Sequence, residues 1–142
     1  MSEPADPLAS HRRNELALLF DISLILDRSL DLRDEVGAIL RALAKHTGMV
    51  RGTLTLLNRE TDEILIEEGH GLSAKQRERT RYRPGEGVTG MVIQTGRPMV
   101  IPRISEEPLF LDKTGARSKM RKDEIAFVCV PIRARQRLLG TL

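Results

Sequence analysis

Apolar positions along the first fifty residues repeat at helical spacing, and those after them fall into short strand-like runs. From Asn14 to Arg28, Leu16, Leu19, Phe20, Ile22 and Leu26 recur near a 3.6-residue period, and Leu18 and Ile25 widen the stripe. A stripe this broad predicts two packing partners, the domain body and the same helix of a second copy, although ordinary core burial accounts for any single leucine. Residues 1–13 read as a flexible leader, because the first ten are polar and proline-containing. A second helix is predicted after Asp31 as N-cap: Asp34 and Glu35 fall in its first turn, Leu32, Val36, Ile39, Leu40 and Leu43 share one face, and Gly48 ends it.

Thr53–Leu57 and Glu63–Glu67 are β-prone runs joined by polar Asn58–Asp62, the pattern of an antiparallel hairpin. Ser73 with Gln76 forms a capping-box pattern that opens a short polar helix before an Arg81-Tyr82-Arg83 strand. Pro84, Gly85 and Gly87 then turn the chain into a compact helix through Val88–Ile93, with Gly96 as its C-terminal cap. A strand at Pro98–Ile101 precedes a long loop, 102–124, with one helical turn. Ile125–Ile132 reads as a central strand, and Leu138–Leu142 begins another. This order excludes a repeated βαβ fold and predicts an α+β domain, an antiparallel sheet with helices packed on it.

Composition narrows the chemistry. With no Trp, one Tyr and three Phe, the core is expected to be aliphatic, and the scarcity of rings counts against a platform for stacking single-stranded bases. Residues 1–74 carry a net charge of −5 and residues 75–142 a net of +8, so the basic character belongs to one half. That asymmetry fits an anion site or a polarised face, and equally a solvated arginine-rich surface. Cys129 is the single cysteine, which excludes an internal disulfide, and His11, His46 and His70 lack ligand spacing, so no metal is expected. A reducing cytoplasm is the expected compartment, with no membrane segment and no direct nucleic-acid binding.

Gly85-Glu86-Gly87-Val88-Thr89-Gly90 matches the dinucleotide fingerprint G-x-G-x-x-G, yet the strand before it is Arg81-Tyr82-Arg83 rather than a buried parallel strand. A glycine turn feeding a helix also leaves backbone N–H groups that attract anions, and arginine suits carboxylates. The candidate ligand-binding residues are therefore Arg81, Arg83, Gly87, Val88, Thr89 and Arg97. Lys113, Arg117, Lys119 and Arg121 make the long loop a candidate lid or partner surface; plain solvation explains the same charges.

Pro84-Gly85-Glu86-Gly87-Val88-Thr89-Gly90, followed by Thr95-Gly96-Arg97-Pro98 and Val100-Ile101-Pro102, resembles the central signature of GAF domains. Gly69-His70-Gly71-Leu72-Ser73, Ser105–Asp112 and Val128–Ile132 resemble more specifically the sensory domain of NifA-type nitrogen-fixation activators. The resemblance covers residues 14–142. It implies a GAF-like antiparallel sheet flanked by helices, with the C-terminal strand cut short and the following helix missing, which would expose Leu138, Leu139 and Leu142. It also implies a dimerising regulatory domain rather than an enzyme, with no cofactor beyond a small ligand such as 2-oxoglutarate. In the whole activator the partners would be an ATPase domain, RNA polymerase with the sigma-54 class factor, and NifL. A GAF sensor of another sigma-54-class activator, taking a different small anion, is the alternative. Some GAF-like proteins reduce free methionine sulfoxide through several cysteines, and a lone mid-strand Cys129 does not supply that chemistry.

Overall fold

Helix α1 spans Pro7–Arg28, and so starts well before Asn14. Proline is well placed at a first helical position, where its missing N–H has no partner to lose. Pro7–Arg13 is thus helix where the apolar pattern predicts a leader; the structure, a computed structural model, describes residues 7–28, 32–115, 121 and 124–142, so the rest of that leader lies outside it. The half-buried face of α1 is Leu18, Ile22, Leu24 and Ile25, whereas Leu16, Leu19, Phe20 and Leu26 are each more than half exposed. Helix α2, Leu32–Thr47, buries Leu40 and Ala42 and half-buries Val36, Ile39 and Leu43, as its stripe predicts. The Asp31 cap falls outside the described residues.

The chain divides into two compact units, one ending at Gly52 and one beginning at Thr53. In the first, α1 and α2 pack together, with His46 Nε2 at 2.7 Å from Asp21 Oδ2. That hydrogen bond, helped by Lys45, holds the Asp21 carboxyl below its ordinary range.

The second unit is built on a sheet ordered β3-β2-β1-β7-β6. Strands β1 (Gly52–Asn58) and β2 (Glu63–His70) are joined by a turn in which Asn58 Oδ1 accepts the N–H groups of Glu60 and Thr61. Helix α3, Ala74–Arg79, carries the expected capping box: Ser73 Oγ accepts from Gln76 N, and Gln76 Oε1 accepts from Ser73 N. The two-residue β3, Arg81–Tyr82, returns antiparallel to β2, with Ile64 opposite Tyr82. Helix α4 runs Gly87–Thr95 and ends on Gly96 at φ 65°. Its buried Val88 and Val92 meet Ile101, Ile104 and Cys129, with Phe110 and Phe127 packed edge-to-face at the margin. Those residues come from β4 (Met99–Ile101), a 3-10 turn at Ile104–Glu106 and β5 (Phe127–Cys129).

The expected central strand Ile125–Ile132 is instead two short pieces. β5 pairs only with β4 in a separate two-stranded sheet, while β6 (Pro131–Ala134) is the edge of the five-stranded one and pairs with β7 (Arg137–Thr141). The run changes partner between Cys129, opposite Met99, and Val130, whose N–H and C=O both bond Leu142. Pro131 has no N–H to continue an internal ladder, which suits an edge. Because β7 lies between β1 and β6, Leu138, Leu139 and Leu142 are half-buried rather than exposed. No described helix is long and apolar enough to cross a membrane.

Candidate functional site

The Arg83–Gly90 turn is shaped by glycines in two different ways. Gly85 and Gly87 have φ of 82° and 64°, in the left-handed region that a side chain disfavours. Gly90 is required by proximity, since a Cβ there would lie under 3.0 Å from the Arg83 carbonyl oxygen. The turn is closed by Gly85 N donating to Gly90 O at 2.8 Å, Glu86 N to Arg83 O at 2.9 Å and Gly90 N to Glu86 O at 2.9 Å. The N–H groups of Gly85 and Glu86 are therefore already used by the turn itself.

Beside this turn opens a groove of about 530 Å³, lined by Glu63, Arg81, Tyr82, Arg83, Pro84, Gly85, Glu86 and Lys113. Lys113 crosses it, donating to Arg81 O at 2.8 Å, pairing with the Glu86 carboxylate and standing 5.3 Å from the Tyr82 ring centroid. Glu86 Oε2 also accepts from Arg83 N at 2.9 Å. The Lys113 bond, more than the Arg83 N–H and its guanidinium, pulls the Glu86 carboxyl below its usual range. Arg81, also in the lining, has its guanidinium committed to Glu78 O at 2.6 Å and Thr80 O at 3.1 Å, where it caps α3. The Arg83 side chain is the exposed cation of the turn, and Glu63 and Glu86 stand against three basic residues in the lining.

The sequence candidates separate on this geometry. Arg81, Arg83 and Lys113 line the groove. Gly87 and Val88 are buried, Gly87 against Leu109 and Leu111 and Val88 in the core. Thr89 is also buried and shares a hydrogen bond with Cys129, whose thiol is pushed up by burial. Arg97 lies beyond the far end of α4, whose last residue Thr95 is roughly 12 Å along the helix axis from Gly87. Arg121 is exposed and pairs with Glu124 at 3.0 Å, and Arg117 and Lys119 lie outside the described residues. Composition and motif reading missed Glu63, Tyr82 and Glu86. The first two follow from pairing β2 with β3, and the last from an acidic residue at an N-cap.

Two further observations bear on chemistry. Every strand register resolved is antiparallel, so the parallel context of a dinucleotide-binding turn is absent among the described residues. No group of three or more His, Cys, Asp or Glu able to hold a metal occurs among them either.

A family model for the GAF domain matches residues 31–142. The chain is 37% identical over 136 residues to the nitrogen fixation protein VnfA of Azotobacter vinelandii, covering 95% of this chain and 26% of that protein. It is 38% identical to the Nif-specific regulatory protein of Azospirillum brasilense, covering 90% of this chain and 20% of the relative. It thus spans about a quarter or less of the curated relatives it matches, and the expected likeness to NifA-type regulators is borne out. Among solved structures, the GAF domain of A. aeolicus nlh2 in an inactive state superposes with a TM-score of 0.81 at 24% identity, covering 92% of this chain and 78% of that one. The free methionine-R-sulfoxide reductase of Neisseria meningitidis shares the fold at a TM-score of 0.74 and 19% identity, over 99% of this chain and 75% of that one. From its glycine-bounded turn, its antiparallel sheet and the match over residues 31–142, the chain belongs to the GAF domain family.

Proposed function

We propose that this chain is the sensing domain of a nitrogen-fixation transcription activator, a regulatory module rather than an enzyme. The observation that carries this reading is 37–38% identity across at least nine-tenths of the chain to proteins named as nitrogen-fixation regulators. Its ligand is a small dicarboxylate such as 2-oxoglutarate, held in the groove beside the Arg83–Gly90 turn. Lys113 and the exposed Arg83 guanidinium supply the counter-charge, and Tyr82 supplies an apolar wall. Binding there has a direct route to the core, because the turn is continuous with α4, whose Val88 and Val92 pack on the β4–β5 pair. Cytoplasmic α1, with Leu16, Leu19 and Phe20 exposed, serves as a dimer contact. In the intact activator the output is control of an ATPase domain acting on RNA polymerase with the sigma-54 class factor, with NifL as a regulatory partner.

Calorimetric titration of the protein with 2-oxoglutarate, succinate and a cyclic nucleotide tests the ligand. A saturable heat with a dicarboxylate, abolished by Arg83→Ala together with Lys113→Ala, is the expected result. Silence toward both dicarboxylates removes the ligand from the proposal.

A further inference from the structure

Away from the groove, the end of the β6–β7 hairpin gathers five exposed arginines. Arg133, Arg135 and Arg137 belong to the hairpin itself; Leu138 lies opposite Arg133, and Arg137 opposite Ala134. Arg59 reaches in from the β1–β2 turn and donates from Nη2 to Leu138 O at 2.8 Å. Arg133 Nη2 donates to Gly96 O at 2.7 Å, which brings the end of α4 and the neighbouring Arg97 to the same place. None of the five forms an ion pair with a described residue, although other basic residues of the chain do. The carboxylates adjoining in sequence at this end of the sheet are Glu60 and Asp62 of the β1–β2 turn.

Two details set this patch apart from a merely solvated face. Arg59 and Arg133 are fixed by backbone carbonyls, so their charge is held in position before any partner arrives. Arg135 sits at the hairpin tip with φ 56°, a conformation that glycine or asparagine adopts at lower cost.

We propose that this hairpin end is a docking surface for an acidic protein segment, one presenting spaced Asp or Glu side chains. Guanidinium groups match carboxylates through paired N–H bonds, and because Arg133 and Arg137 fall on opposite faces of the hairpin, a peptide crossing its tip places its acids against Arg135 and Arg137. Duplex DNA fits less well. Its charges recur about every 1.7 Å along the axis and would meet the carboxylates of Glu60 and Asp62.

The test is fluorescence anisotropy of a labelled oligoglutamate peptide with the full 142-residue chain at low and at physiological salt. The parent protein binds, and Arg135→Glu with Arg137→Glu weakens binding by about tenfold or more. The same charge change made on α1, Arg12→Glu with Arg13→Glu, leaves binding within about twofold. Arg135→Asn, which suits the left-handed backbone, weakens binding without lowering the unfolding midpoint, so the loss is not one of folding. Equal losses from the hairpin and α1 variants, no binding by the parent, or preferential displacement of the peptide by duplex DNA of matched charge would each overturn the proposal.

Discussion

Replacing Gly90 by alanine sets two opposed effects against each other at one position. Alanine is favoured over glycine inside a helix by about 1 kcal/mol, and Gly90 lies within α4 without a positive φ, so propensity alone predicts stabilisation. The new Cβ would, however, stand under 3.0 Å from Arg83 O and 3.0 Å from Gly85 N, both backbone atoms that no side-chain rotation can move aside. Relieving that overlap means moving the turn, at a cost of about 1–3 kcal/mol for overpacking. The Gly85 N to Gly90 O bond, 2.8 Å long, is then strained or lost, adding about 1 kcal/mol. The steric cost wins, and a net loss of about 1–3 kcal/mol is expected. Equilibrium urea unfolding followed by circular dichroism reads this as a lower midpoint at unchanged slope. Gly37→Ala is the matched control in α2, where the new Cβ meets only the flexible Arg41 guanidinium at 3.3 Å, and it should stabilise by up to about 1 kcal/mol. If Gly90→Ala proves as stable as the parent or more so, the close approach of α4 to the Arg83–Gly85 backbone is refuted.

Thr141→Val removes one partner of the buried hydroxyl pair Thr55 Oγ1 to Thr141 Oγ1, 2.7 Å apart, and should cost about 1–3 kcal/mol. Adding Thr55→Val should cost less than the sum of the two single changes, a non-additivity visible in a denaturation double-mutant cycle. Glu86 has a depressed folded pKa, so its contact with Lys113 contributes fully above the ordinary unfolded Glu value and is lost as pH falls through the folded one. Thermal unfolding against pH should therefore show a shallower acid limb for Glu86→Gln than for the parent. Ser73→Ala breaks the capping box of α3 and should accelerate amide exchange over Ala74–Arg79, with a stability loss of about 1 kcal/mol or less for so short a helix.

Local chemistry was legible wherever one residue type settles a conformation. The Ser73–Gln76 box, the Gly96 cap, the β1–β2 hairpin and the short β3 all follow from sequence and stand as expected. What sequence could not carry was partnering. Ile125–Ile132 is apolar on both alternations whether one sheet or two receive it, and only the pairing of Cys129 with Met99 and of Val130 with Leu142 shows the chain switching sheets. Leu138 and Leu139 are covered because β7 runs between β1 and β6, which no periodicity within the strand can reveal. For the site the same division holds. Arg81 and Arg83 follow from charge next to a glycine turn and Lys113 from the basic long loop, but charge alone could not tell that Lys113 reaches the turn, that Thr89 is buried or that Arg97 follows the far end of the helix. Glu86 was hidden inside the motif as a variable position, yet it is the carboxylate that Lys113 holds.

The proposed sensing role requires a dicarboxylate to enter the groove between the Arg83–Gly90 turn and Lys113, and backbone amide shifts of the labelled protein report that directly. Titration with 2-oxoglutarate should move the amide signals of Arg83, Gly85, Glu86 and Lys113 together along one saturation curve. Shifts confined to other surfaces, or none at all, would contradict it.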